Sequence, residues 1–179
     1  MKKPLVFGIV LVLIVLALVG YFASRRINQS AGEETLEKMI EAQTGAKVDI
    51  KSGSNGQDIT IKTEDGQTQY SAGGDVKFPD GFPQQLVLVN DAKLMMASSS
   101  ETGSSVTYLT NSDQTSVFNN YVSDLPGLGW KIVMQVNAGE GKMLNISKDG
   151  EAAYITIGDN DSKDKSAKTM VNIVWAKEE

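Results

Sequence analysis

The sequence predicts an α+β protein in which an N-terminal transmembrane helix precedes one or more antiparallel sheets packed with two short helices. Three observations support this prediction. Residues 4–23 are a continuous apolar run. Segments near 33–43 and 117–125 place apolar residues at helical spacing. Most of the remaining chain alternates polar and apolar residues between turns rich in Gly, Asn and Asp, which is typical of antiparallel strands.

The composition excludes several kinds of chemistry. The chain has 179 residues without Cys or His, so it has no disulfide, zinc finger, Cys nucleophile, His general base or His metal ligand. Its net charge is −5. After residue 26, however, 13 basic residues face all 22 acidic ones, a balance of −9. Such an acidic domain repels phosphate backbones, and we expect no nucleic-acid partner.

Residues 4–23 predict a transmembrane signal anchor, because twenty helical residues at 1.5 Å each span about the ~30 Å of a bilayer core. A buried helix of a globular domain is the weaker alternative, since such helices are seldom apolar on all sides. A cleaved signal peptide is the stronger one, but Tyr21-Phe22-Ala23 is a poor cleavage site. We therefore expect a cytoplasmic tail at 1–3, an anchor at 4–23 that has the lipid bilayer as its partner, and a linker at 24–32.

The orientation of the anchor is almost balanced by charge, because Lys2 and Lys3 precede it and Arg25 and Arg26 follow it. The rest of the chain is rich in small polar residues and contains no Cys. This composition favours export. The prediction is a single-pass protein of the cytoplasmic membrane whose residues 33–179 form an extracytoplasmic, periplasmic domain.

Helix and strand signals then follow in order. Residues 33–43 form an amphipathic helix that stops at Gly45, and residues 111–113 cap a second helix that ends at Pro126. Residues 72–85 are an irregular connection, and 159–168 a charged loop. Ten segments alternate as strands do: 47–51, 57–63, 67–71, 86–89, 93–97, 105–110, 130–136, 143–147, 152–158 and 169–176.

The two halves of the domain, 33–85 and 111–179, share an order of helix, strands and Asp-Gly turn. A shift of 84 residues aligns Asp65-Gly66 with Asp149-Gly150 and Tyr70 with Tyr154. The apolar pattern before the turn slips by one residue in this alignment, which suggests a bulge. An internal repeat explains the correspondence, and so does the general need of any helix and meander for such stops and turns.

Three segments, FPDGFPQQL, VFNNYVSDLPGLGWKI and LNISKDGEAAYITI, resemble a pattern found in uncharacterised bacterial exported, membrane-anchored proteins and lipoproteins. The shared features are Pro79 with Pro83, Leu125 followed by Gly129-Trp130, and the turn 148–150. The resemblance covers roughly 33–176 and implies no activity and no site residues. This chain departs from the lipoproteins because it lacks the lipidated Cys.

Enzymatic and metal-binding chemistry has few candidates. The adjacent Ser-Lys pairs at 147–148 and 162–163 lack a supporting helix, so we predict no enzyme and no cofactor. Asp159, Asp161 and Asp164 are weak candidates for a calcium site, because carboxylates are its preferred ligands. A solvated loop is the favoured interpretation, since the EF-hand spacing fails and Lys163 and Lys165 partly neutralise the carboxylates.

Phe78 and Phe82 lie in a Pro/Gly-rich segment and are candidates for a protein-partner contact, although packing against the sheet is the favoured interpretation. The function predicted from the sequence is a non-catalytic interaction or accessory module at the outer membrane surface, where a sheet edge could add a partner strand. The alternative is a domain that binds or senses a small ligand or cation.

Overall fold

The computed structural model describes residues 34, 37–38, 41–42, 46–52, 56–63, 66–138, 141–160 and 166–177. Within them, nine strands and one helix have defined ends. The strands are β1 (Lys47–Ser52), β2 (Gly56–Thr63), β3 (Gly66–Gly73), β4 (Lys93–Ser99), β5 (Gly103–Thr110), β6 (Lys131–Ala138), β7 (Gly141–Lys148), β8 (Glu151–Asp159) and β9 (Thr169–Lys177). The helix, α1, is Gln114–Asp124.

All nine strands belong to a single antiparallel sheet in the order β1-β2-β3-β4-β5-β9-β8-β7-β6. Sequential hairpins build each half, and the pairing of β5 with β9 joins them. The predicted fold class was wrong in this respect: the strands form one continuous sheet with one helix of defined extent over it, in place of one or more sheets packed with two helices behind a transmembrane helix. Local strand signals cannot distinguish these cases, because the β5–β9 pairing is non-local.

Helix α1 begins where the sequence indicates. Asp113 is its N-cap and accepts a hydrogen bond from the backbone N–H of Ser116 at 3.0 Å. After a 3₁₀ turn at Pro126–Leu128, Gly129 adopts a left-handed φ of 82°. This conformation lets the N–H of Trp130 reach the carbonyl of Leu125 at 3.0 Å and directs the chain into β6.

The face of the sheet that packs against α1, here called the inner face, carries the main core. Alternation along β5, β9, β8 and β7 directs one residue in two towards α1. The members of this core that are fully buried include Val106, Tyr108, Tyr121, Leu125, Leu144, Ile146, Ile155, Ile157, Val171 and Ile173. The hydrophobic effect thus fixes α1 over the half of the sheet that β5, β9, β8 and β7 form.

The β1–β3 half buries the opposite, outer face. Val48, Ile59 and Ile61 form a separate cluster there with Ala46, and Tyr70 packs against it. In the other three-stranded unit, β6–β8, the buried residues face inwards and Tyr154 is 52% exposed on the outer face. The one-residue slip in the apolar pattern therefore corresponds to a change of buried face, as expected for a period of two. Whether 33–85 and 111–179 are a true repeat stays a prediction.

Two further sequence predictions need comment. Leu86–Val89 was predicted as a strand, but Gln84–Leu86 forms a 3₁₀ turn and the following residues are irregular. Here Pro83 starts the turn, and Leu86 is completely buried as a core anchor. In the helix predicted at 33–43, residues 34, 37–38 and 41–42 are helical. Its other residues lie outside the described part of the chain.

The structure also corrects the predicted membrane localisation. None of the helices within the described ranges has the length and apolarity needed to cross a bilayer; α1, with 11 residues, would span only about 16 Å. The prediction of a single-pass membrane protein with a signal anchor and an extracytoplasmic domain is corrected accordingly. Residues 4–23, on which that prediction was based, lie outside the described residues.

Candidate functional site

A polar cleft of about 550 Å³ lies over the inner face of β1–β3. Its floor comes from alternate residues of these strands, and its rim comes from Asp75 and Lys77 in the connection after β3. The floor side chains are Asp49, Lys51, Asp58, Thr60, Gln69 and Ser71. Because β1–β3 bury their outer face, this inner face is free to carry polar groups. The cleft thus follows from the change of buried face between the two halves of the sheet.

The cleft contains both signs of charge. Asp49, Asp58 and Asp75 contribute three carboxylates, and Lys51 and Lys77 contribute two ammonium groups. The Lys51 ammonium lies 3.4 Å from the Asp49 carboxylate, but both side chains are more than half exposed, so this pair adds little stability. The charged groups therefore remain accessible to a bound molecule.

Hydrogen bonds orient part of the floor. The hydroxyl of Ser71 donates to the Asp58 carboxylate at 2.6 Å, across the β2–β3 pair. Tyr70 also borders the cleft, but its side chain belongs to the outer cluster, and burial raises the pKa of its phenol. The Asp58–Ser71 pair fixes one acceptor in the centre of the floor, where it needs little rearrangement to meet a donor.

Polar residues continue from the cleft along one cross-strand row of the inner face. The register joins Thr60 to Gln69, Gln69 to Ser99 and Ser99 to Ser104. Ser104 is only 7% exposed, and its hydroxyl has no hydrogen-bond partner among the described residues. The next member of the row is Trp175, which belongs to the apolar core. The row therefore ends in a buried hydroxyl at the border between the polar and apolar halves.

The connection between β3 and β4 attaches the rim of the cleft to the core. The rings of Phe78 and Phe82 stack with centroids 5.8 Å apart and an interplanar angle of 8°. Phe82 is 5% exposed within the core, and Phe78 is partly buried against it. These two candidate partner-contact residues therefore pack on the sheet and hold the segment that carries Asp75 and Lys77.

A pair of buried tyrosines links this connection to α1. The Tyr121 hydroxyl donates to the carbonyl of Leu86 at 2.7 Å and lies 2.9 Å from the hydroxyl of Tyr108. Because Tyr121 has one proton to donate, Tyr108 must be the donor between the two rings. Burial raises the pKa of Tyr108 to about 12 and that of Tyr121 well above its usual value. Both phenols therefore stay neutral and act as structural hydrogen-bonding groups.

The calcium candidates are not brought together by the described residues. Asp159 ends β8 and accepts a hydrogen bond from the side-chain amide of Gln114 at 2.6 Å. Asp161 and Asp164 lie outside the described part of the chain. Within that part, no group of three or more acidic side chains is arranged to hold a metal ion.

Sequence reasoning missed the cleft. Asp58 and Thr60 alternate with Ile59 and Ile61, but this alternation predicts only a strand with one side facing solvent. The useful signal was the one-residue slip between the two meanders. A change of buried face in one continuous sheet leaves a polar inner surface beside an apolar one.

The comparisons with known proteins give one result. A family model described as START domain-like matches residues 88–167, a little under half of the chain, from just before β4 to beyond β8. No curated protein and no solved structure gives a significant match. The match includes α1 and strands β4–β8, whereas β9 lies after it and the residues of the cleft lie before it. The match does not support the resemblance of the sequence motifs to exported, membrane-anchored proteins.

Proposed function

We propose that this protein is a non-catalytic binding domain for a small polar molecule, which occupies the cleft over β1–β3. The observation that carries the proposal is the cleft itself, whose volume of about 550 Å³ is within the range of roughly 300–1,000 Å³ usual for ligand sites. The START domain-like match is compatible with a ligand-binding domain. It supports the small-ligand alternative from the sequence better than the accessory module.

The lining favours a zwitterion of about the size of a dipeptide. Three carboxylates can bind an amine, and two ammonium groups can bind a carboxylate. Thr60, Gln69 and Ser71 add hydroxyl and amide groups for a central polar segment. A purely apolar ligand would leave these charges desolvated and unpaired, which is unfavourable. Because the cleft is open and its charged groups are hydrated, we expect a dissociation constant on the order of 10 μM to 1 mM.

Isothermal titration calorimetry tests the proposal with three probes: L-alanyl-L-alanine as a zwitterion, its N-acetylated and C-amidated form as an uncharged match, and decanoate as an apolar molecule. We expect heat of binding for the zwitterion alone. Removing both terminal charges should weaken binding by tenfold or more, because a hydrogen bond to a charged group is worth about 1.5–3 kcal/mol.

Two variants locate the site. Asp58→Asn removes the central carboxylate and should weaken zwitterion binding by about tenfold. Asp80→Asn is the matched control, because it changes the same functional group in the connection without altering a residue that lines the cleft. Equal affinity of the two variants would contradict the proposal. Binding of decanoate only would also contradict it, and would favour an apolar site beneath α1.

A further inference from the structure

The outer face of the sheet carries no charged side chain over β5, β9, β8 and β7. The register places four positions of each strand on this face, sixteen in all, as alternate residues of 103–109, 170–176, 152–158 and 141–147. None of these described positions is Asp, Glu, Lys or Arg. A solvent-facing surface of sixteen residues would ordinarily carry roughly four to six charges.

Large apolar side chains lie among the small polar ones on this face. Tyr154, Val174 and Met143 are 52%, 44% and 38% exposed. The adjoining strand β6 continues the face with Met134 and Val136, which pair with Asn145 and Met143 of β7 and are also well exposed. Protein interfaces show the same composition at their centres, where charge is depleted and Tyr and Met are enriched. The face therefore has the character of an interface.

The area of this face is sufficient for a specific interface. Five strands about 4.8 Å apart, each with seven residues at about 3.4 Å, give roughly 24 Å by 24 Å, or on the order of 550 Å² before the relief of the side chains is counted. Two such faces together exceed the ~1,000 Å² that a specific interface needs. Among the described residues, the single charge within this area is Lys131, at the corner where β6 begins.

We propose that a second copy of this chain covers this face, so that two nine-stranded sheets pack outer face to outer face. The two-fold axis lies between the sheets and passes beside Tyr154. This residue stands on β8, the third of the five strands, near the middle of the face. The aromatic anchors of interfaces cluster at such central positions. Sheets packed in this way lie about 10 Å apart, and their side chains interdigitate.

The charge distribution favours a second copy as the partner. Residues 27–179 contain 13 basic and 22 acidic residues, a balance of −9, so two copies repel each other over their charged surfaces. The charge-free face lets them meet without opposing like charges. A two-fold contact must also be self-complementary, and a face of uniform character meets this requirement. An anionic lipid surface fits less well, because it attracts clusters of Lys and Arg and this face offers only Lys131.

Sedimentation equilibrium of the full chain tests the contact through its mass. At about 100 μM, above the micromolar dissociation constants of weak specific interfaces, the wild type should sediment at twice 19.3 kDa. Tyr154→Asp places two carboxylates beside the axis and should weaken association by about a hundredfold or more. Asn119→Asp adds the same charge to an exposed position of α1, on the other side of the sheet, and should leave the dimer intact. Circular dichroism of both variants checks that they fold.

Isotope-filtered NMR provides a second measurement on the unmodified sequence. In a mixture of unlabelled protein and protein labelled at its methionine methyl groups, Met134 and Met143 should show nuclear Overhauser effects to the other copy. Met95, on β4 outside the face, is the control and should show none. A monomeric wild type, a dimer that Tyr154→Asp leaves intact, or intermolecular effects at Met95 alone would overturn the proposal. The first of these results would assign the face to a different partner.

Discussion

The hydroxyl of Tyr121 is the best-connected polar atom in the apolar core. It donates to the Leu86 carbonyl and accepts from Tyr108, so it ties α1 to both the β3–β4 connection and β5. These bonds differ in what their loss leaves behind. Without the Tyr108 hydroxyl, Tyr121 still satisfies Leu86; without the Tyr121 hydroxyl, a buried carbonyl and a buried phenol both lose a partner.

Tyr121→Phe should therefore destabilise the protein more than Tyr108→Phe. We expect about 1–3 kcal/mol for the first and about 0.5–1.5 kcal/mol for the second, because an orphaned buried group costs more than a lost bond. Urea unfolding of the two variants measures the difference. Equal losses, or a greater loss for Tyr108→Phe, would show that the donor assignment is wrong.

Asp91 links the start of β4 to the end of β5. The hydroxyl of Thr110 and the backbone N–H of Asn111 both donate to its carboxylate and hold its pKa below the usual value. A lowered pKa in the folded state means that the charged form contributes stability above the ordinary aspartate value of about 3.9. This contribution is lost as the pH falls through the lower, folded-state value.

The variant Asp91→Asn should therefore be less stable than the wild type at pH 6, and the gap should narrow towards pH 2. The amide does not titrate, so it cannot lose an ionic contribution on acidification. Unfolding free energies at pH 6, 4 and 2 measure this convergence. A gap that stays constant across this range would mean that the carboxylate charge contributes nothing.

At the scale of elements, two helical glutamates, Glu37 and Glu41, protect the edge of strand β1. Glu37 and Glu41 accept the Ile50 and Val48 N–H groups, whereas the neighbouring Glu34 pairs with Lys38 at 2.6 Å in solvent. The hydrogen bond and charge of this exposed pair lower the pKa of Glu34 and raise that of Lys38. Such a pair contributes little to stability, so these glutamates have different roles.

The double variant Glu37→Ala/Glu41→Ala should speed amide hydrogen exchange of Val48 and Ile50 by about tenfold or more, given roughly 1.5–3 kcal/mol for a hydrogen bond to a charged group. Glu34→Ala is the control and should leave both rates unchanged. Exchange measured by NMR distinguishes the two. Equal rates in the double variant and the control would show that the carboxylates do not protect this edge.

The sequence predicted most elements but not how they join. Alternation identified the nine strands, and residues 111–113 identified the start of α1, because these signals are local. The pairing of β5 with β9 carries no local signal, so the single sheet was not predictable. For the same reason Leu86, a buried anchor in a 3₁₀ turn, was read as part of a strand.

At the scale of the whole molecule, the central feature is one sheet whose halves bury opposite faces. The half formed by β5, β9, β8 and β7 buries its inner face under α1, and the half formed by β1–β3 buries its outer face. The inner face therefore changes from apolar to polar across a single sheet, and the polar part forms the cleft. The proposed binding function depends on this change of face.

An NMR titration of the isotopically labelled protein with L-alanyl-L-alanine tests that claim most directly, because it reports every backbone amide at once. We expect saturable shifts at residues 49–51, 58–60, 69–71 and 75–77, with α1 and β6–β8 unaffected. Shifts concentrated in α1 and β6–β8, or none up to 10 mM probe (on the order of ten times the weakest affinity expected), would contradict the account.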